Sequence, residues 1–250
     1  MIKLLVLLFG LLKLGKAGGS VLTMLVSLAI YASLFGWTYA AGFIGLLFVH
    51  EMGHFLAARQ RGLAVGTPTF IPFVGAWIQL KDQPMNVETE AYVAAAGPFL
   101  GTVGAVAIYF WARQSHSSLL LAIAYSGFFL NFFNLIPLAP LDGGRMTAIL
   151  SPRVWFIGVP IMLALLLYRP SPLLVAITIL ALPSLIKAWK YDPAAPENQA
   201  YYAAPLALKA EYGLFYLGLA AFLAVMVDDT HQMLRGAVGA GSPPPGDRTN

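Results

Sequence analysis

The strongest constraint on this chain is how much of it carries no ionisable side chain. No Asp, Glu, Lys, Arg or His occurs in 17–49, 91–112 or 117–141. A hydrocarbon layer about 30 Å thick is crossed by about 20 residues of α-helix. The second and third blocks therefore fit one span each. The first, continued to Arg59, fits two, with the turn near Gly36 to Gly42. Composition agrees: 59% of residues are hydrophobic and 10% charged, against about 25% charged in soluble domains. The fold class expected is an all-α polytopic membrane protein with about six to seven transmembrane helices.

Spans are expected near 21–38, 40–60, 91–112 and 117–136. Two short spans, 154–168 and 171–186, flank Arg169-Pro170-Ser171-Pro172, and a last one runs from about 210 to 227 and stops at Asp228-Asp229. The apolar start, 1–12 with its Lys3, reads as a retained interfacial or first membrane segment. The chain thus divides into an N-terminal segment at 1–20, a membrane core at 21–150 and C-terminal membrane helices at 151–230. A disordered tail at 231–250 contains a Gly-Ser-Pro-Pro-Pro-Gly run. Between the second and third spans, residues 69–82 mix Phe70, Ile71, Trp77 and Ile78 around a Pro72/Gly75 break. A short membrane-associated β-hairpin and a structured loop on the bilayer surface both fit that pattern. Cysteine is absent, which excludes disulfides and thiolate chemistry. The net charge of +4 is scattered and forms no basic block for a nucleic-acid backbone.

After 33 residues without an ionisable group come His50, Glu51 and His54. Such side chains inside a span cost about 2.5–3.5 kcal/mol each near mid-helix, so their arrival together needs a reason. His50-Glu51-Met52-Gly53-His54 matches H-E-x-x-H, and residues four apart on a helix face the same way, so both imidazoles can reach one metal. The glutamate, one position past the first ligand, can take a proton from a metal-activated water without binding the metal. The competing explanation is a helix terminus meeting water, a role that Arg59 and Arg61 fill just beyond. Two histidines leave a catalytic zinc site one protein ligand short. His116 and His231 lie outside the apolar blocks and read as solvated loop residues. Asp142 is the acidic candidate. Pro137 and Pro140 break the helix after Leu135, and Gly143-Gly144 permits a sharp turn. Broken backbone at membrane depth is tolerated only against protein or a wet cavity. A turn presenting Asp142 to a metal meets that condition; a surface turn with Asp142 as a helix cap is the alternative.

With these residues in view, the sequence resembles the site-2 protease family of intramembrane zinc metalloproteases. That family joins an H-E-x-x-H helix to a later N-x-x-P-x-x-x-L-D-G motif, matched here by Asn134, Pro137, Leu141, Asp142 and Gly143. The resemblance covers residues 40 to 150. It implies that His50, His54 and Asp142 bind one Zn2+ per chain, that Glu51 is the catalytic carboxylate, and that Asn134 lies near the substrate or oxyanion. Ala95-Ala96-Gly97-Pro98 is similar to the family's A-G-P segment. Gly101 stands where the family often has Asn, and Ala139 where it often has Pro. No regulatory PDZ or nucleotide-binding domain is recognisable. The implied activity is hydrolysis of peptide bonds in transmembrane or membrane-associated proteins, with the bilayer as the other partner. The rival readings are a catalytically inactive metal-binding scaffold and a transporter.

Lys81, Arg145, Arg153, Lys187, Lys190 and Lys209 fall on the same side as Lys13, Lys16, Arg59 and Arg61 when the spans are threaded in order. The positive-inside rule makes that side cytoplasmic and puts the end of the His50 helix and Asp142 there, in the cell membrane. Single cysteines at Gly62 and Asp192 should therefore react with an impermeant thiol label only after the cytoplasmic face is opened. One at Ser118 should react from outside. Labelling of Gly62 and Ser118 from one side would overturn this topology.

Overall fold

The structure is a computed structural model that describes residues 15–71, 75–80, 84 and 86–240. The N-terminal run 1–12 and the last ten residues lie outside the described residues. The order is α1 (Gly15–Phe35), α2 (Trp37–Gln60), β1 (Val65–Ile71), β2 (Gly75–Leu80), α3 (Val87–Ser115), α4 (Ser118–Asn134) and α5 (Asp142–Thr147). It continues with α6 (Trp155–Tyr168), α7 (Pro172–Trp189), α8 (Pro196–Tyr202) and α9 (Leu206–Ala240). Among the described residues, α1, α2, α3, α7 and α9 are long and apolar enough to cross a membrane, and α4 and α6 are shorter apolar helices. The expected polytopic helical architecture is therefore present.

Helix limits follow from local chemistry. The turn between α1 and α2 is Gly36 alone, at φ 85, where a side chain would be strained. Asn86 Oδ1 accepts from the Thr89 amide at 2.9 Å and caps α3, whose first turn carries Glu88 and Glu90 at the positive end of the dipole. Ser117 and Ser171 cap α4 and α7 in the same manner. The helices α2, α3 and α4 form the centre, with Leu46, Ala94, Ala105, Ile123 and Phe128 buried between them and Leu223 of α9. The peripheral helices turn Leu167, Ile179, Leu214 and Val225 outward. In water that surface would be a liability; against lipid it is the expected exterior.

The segment after α2 is a hairpin, not a loop. β1 pairs antiparallel with β2 in a register that includes Thr69↔Trp77 and Ile71↔Gly75. The first strand starts at Val65, earlier than the aromatic pattern suggested. It lies along α1, where Thr23 Oγ1 accepts from the Phe70 amide at 3.1 Å and the Ser20 hydroxyl donates to the Pro68 carbonyl. Phe70 is buried against Ile44 and Leu47 of α2.

Three sequence expectations need correction. The disordered tail does not begin at 231: α9 runs through Asp228-Asp229 to Ala240. The two acids do not stop it because each finds a partner, Gln232 for Asp228 at 2.7 Å and the Tyr109 hydroxyl for Asp229 at 3.0 Å. A boundary at residue 20 falls inside α1. Gly143 and Gly144 do not make a turn of their own but form the first turn of α5. They are needed for close approach, since a Cβ at Gly143 would strike the Leu135 carbonyl and one at Gly144 the Ala139 backbone.

The tightest interhelical approach on α2 is at Gly53, where a Cβ would strike the Ala96 carbonyl of α3, whereas Gly45 on the same helix has nothing within 4 Å. Gly53→Ala should therefore lower the thermal unfolding midpoint in detergent, by the equivalent of about 1–3 kcal/mol of overpacking. Gly45→Ala should leave it unchanged or raise it. Equal effects of the two substitutions would contradict this packing.

Candidate metal centre

His50 and His54 lie one turn apart on the buried face of α2, and Asp142 opens α5 after the broken segment 135–141. The structure brings these three together. His50 Nε2 and His54 Nε2 are 3.2 Å apart, and Asp142 Oδ2 is 3.2 Å from the first and 3.3 Å from the second. Bonds of about 2.0–2.1 Å in tetrahedral geometry would space ligand atoms about 3.3 Å apart. This near-equilateral triangle therefore fits a zinc ion with its fourth position open.

The hydrogen bonds behind the ligands support the same conclusion. His54 Nδ1 lies 2.8 Å from the Val93 carbonyl oxygen. A carbonyl can only accept, so Nδ1 carries a proton, and in the neutral ring Nε2 then presents its lone pair to the centre. His50 Nδ1 lies 2.8 Å from Asn131 Oδ1. Two imidazole nitrogens and a carboxylate oxygen thus converge among buried groups, an arrangement that can hold a metal ion. Among the described residues this is the one cluster of three His, Cys, Asp or Glu side chains with metal-ligand spacing.

Packing fixes each ligand. A Cβ at Gly97 of α3 would overlap the His54 imidazole, so the Ala95-Ala96-Gly97-Pro98 segment forms the wall behind that ligand. Pro98 has no amide proton and leaves α3 one hydrogen bond short beside Val93. The 135–141 segment is held from both sides. The Tyr216 hydroxyl of α9 donates to the Leu135 carbonyl at 2.7 Å, and the Trp155 indole N–H donates to the Gly144 carbonyl at 2.7 Å. Arg145, one turn past Asp142, reaches Glu90 of α3 at 3.3 Å, and the Tyr201 hydroxyl of α8 donates to the same carboxylate at 2.6 Å. Burial, and then the Glu90 charge, push the Tyr201 phenol well above the usual tyrosine range, so it remains a donor.

Glu51 is buried beside His50 and has no hydrogen bond or ion pair among the described residues. Asn134 is half-buried and donates to the Leu130 carbonyl of its own helix at 3.1 Å; among the described residues it has no hydrogen bond to the cluster. His116 is exposed at the far end of α3, and His231 packs its ring on Tyr125 at 5.7 Å. Asn131, Val93, Trp155 and Tyr216 were not singled out from sequence. A signal existed for Asn131 alone, which is polar within a charge-free block and three residues from Asn134.

Similarity to known proteins bears on this geometry. Peptidase family M50 matches residues 38–115 and 111–167, just over half of the chain. A zinc metalloprotease of Methanocaldococcus jannaschii is 30% identical over 146 residues, 54% of this chain and 41% of that protein. The solved site-2 protease from the same organism is 21% identical, with a TM-score of 0.43 over 76% of this chain and 90% of that one. The chain spans between 14% and 41% of the length of the curated relatives it matches. With His50, Glu51, His54, Asn134 and Asp142 all inside the family match, as the motif resemblance led one to expect, this chain belongs to peptidase family M50.

Proposed function

We propose that this protein is a zinc-dependent intramembrane endopeptidase that cleaves transmembrane or membrane-associated proteins from the cytoplasmic side of the cell membrane. The observation that carries the reading is the triangle of His50, His54 and Asp142, with Glu51 beside it unpaired among the described residues, set in a bundle of helices with the length and composition of membrane spans. Zinc bound there supplies a Lewis acid that polarises the scissile carbonyl and acidifies water. Glu51 is the proton carrier: it takes the proton of the attacking water and passes it to the leaving nitrogen. A carboxylate already held by a cation or donor would do this poorly, so its lack of a hydrogen bond or ion pair among the described residues supports the role. Asn134, three residues from Asn131 on α4 and so near the same helix face, is the candidate donor to the carbonyl oxygen as charge develops. A helical substrate has its carbonyls engaged in its own hydrogen bonds and must be unwound locally. The hairpin next to α2 can hold the extended strand by β-addition.

Purified protein should carry about one zinc per chain by elemental analysis. Asp142→Ala should lose most of it, and His116→Ala, at the opposite end of α3, should keep it. Equal losses in the two variants would refute the ligand set.

Glu51→Gln preserves size and hydrogen bonding but removes the base. Zinc content should stay near one per chain while cleavage of a transmembrane-helix substrate in vesicles falls at least about a hundredfold. Parent-like turnover with zinc retained would remove Glu51 from the mechanism. Zinc without cleavage in the parent protein as well would mark an inactive metal-binding scaffold.

A further inference from the structure

We propose that Asn131 is the positioning residue that sets the tautomer of His50 and so prepares its metal-binding nitrogen; the inference rests on the metal-site reading above. Asn131 is 1% exposed, in the last turn of α4, and among the described residues His50 is the one candidate ligand it hydrogen-bonds. Its carboxamide orientation is fixed by a second contact. The nitrogen Nδ2 lies 2.7 Å from the Gly127 carbonyl oxygen, which can only accept, so Nδ2 must be the end that faces it. Oδ1 is left to face His50 Nδ1 at 2.8 Å. An amide oxygen only accepts, so His50 Nδ1 carries a proton, and in the neutral imidazole that ligates a metal Nε2 then holds the lone pair aimed at Asp142 and His54. A hydrogen-bonded relay thus runs from a backbone carbonyl of α4 through the Asn131 side chain to the His50 ring on α2.

Room for this arrangement comes from a third helix. A Cβ at Gly101 of α3 would fall on the Asn131 carboxamide oxygen. The two histidines are therefore oriented by different means. His54 is set by the Val93 backbone carbonyl, which no substitution removes, and His50 by a replaceable side chain. Partners of this kind, hydrogen-bonded to the outer nitrogen of a ligating histidine, typically change metal affinity by about 10–100-fold when removed.

The test compares Asn131→Leu, similar in size with no acceptor, and Asn131→Asp, which keeps an acceptor toward His50 but loses the donor to Gly127. Zinc affinity is measured by chelator competition, and the His50 tautomer by nitrogen NMR of metal-free, ¹⁵N-histidine-labelled protein in lipid. Only four histidines are present, so single His→Gln variants assign the signals. The parent should show a proton on His50 Nδ1 held in a hydrogen bond. Asn131→Leu should weaken zinc by about 10–100-fold and give a mixture of His50 tautomers with helix content unchanged, and Asn131→Asp should restore both to near the parent. If Asn131→Leu does not fold, Asn131→Asp decides alone: an Nδ1-protonated His50 with parent-like affinity supports the proposal. Equal zinc loss in both variants, or a parent tautomer and affinity in Asn131→Leu, overturns it. Failure of the parent protein to bind zinc would defeat the metal site itself, while the NMR of the metal-free protein would still report on Asn131.

Discussion

Three lone pairs held 3.2–3.3 Å apart inside an apolar helical bundle are the constraint on which the rest of the structure depends. Each histidine must direct one nitrogen inward and find an acceptor for the other, because an unpaired N–H in this interior costs about 1–3 kcal/mol. That requirement fixes the rotation of α2 about its axis, with Nδ1 of His54 on α3 and Nδ1 of His50 on α4. It also fixes how closely the three helices approach. Gly53, Gly97 and Gly101 sit where a methyl group would displace the Ala96 carbonyl, the His54 ring or the Asn131 amide. The small residues are thus consequences of the site's geometry as much as of helix packing.

Delivering the third ligand sets a different problem, since Asp142 must come from backbone that is neither in the helix before it nor far from it. Pro137 and Pro140 remove two amide donors, and the segment after α4 leaves regular structure where water cannot satisfy it. The chain satisfies it partly with its own turns, Leu138 on Ile136 and Leu141 on Leu138, and partly with the Tyr216 hydroxyl of α9 on the Leu135 carbonyl, while Trp155 of α6 anchors the helix that follows at the Gly144 carbonyl. At the polar end, Arg145, Glu90 and Tyr201 tie α5, α3 and α8 together. The C-terminal helices contribute no ligand, yet they hold the ligand-bearing turn in place.

The bilayer explains the contrast between the inner and outer helices. α2 and α3 bury much of their surface in protein, while α1, α7 and α9 turn most of theirs outward with the same apolar composition. With lipid as solvent there is no drive to bury every leucine, so polar groups and close backbone contacts decide which helices are central. The helices that carry or support the ionisable cluster are those at the centre.

From sequence alone, the helical membrane class, the pairing of His50 with His54, the position of Glu51 and the candidacy of Asp142 were legible. Each depends on local regularities: runs without charge, the turn of an α-helix, and proline breaking one. The hairpin was half-legible, because alternation was partial and its stabilising partners, Thr23 and Ser20, lie on a helix more than forty residues earlier. The helical continuation to Ala240 was not legible, because Asp228 and Asp229 look like a terminus until Tyr109 and Gln232 are seen beside them. Tertiary structure alone decided what Gly143-Gly144, Gly97 and Gly101 are for, and which asparagine touches a ligand. The motif along the chain marks Asn134 and passes over Asn131; only the packing of α2, α3 and α4 sets Asn131 against His50 and leaves Asn134 on its own helix. Spacing along the chain determines what a helix face can present, and contacts between helices, invisible in the order of residues, determine what it meets.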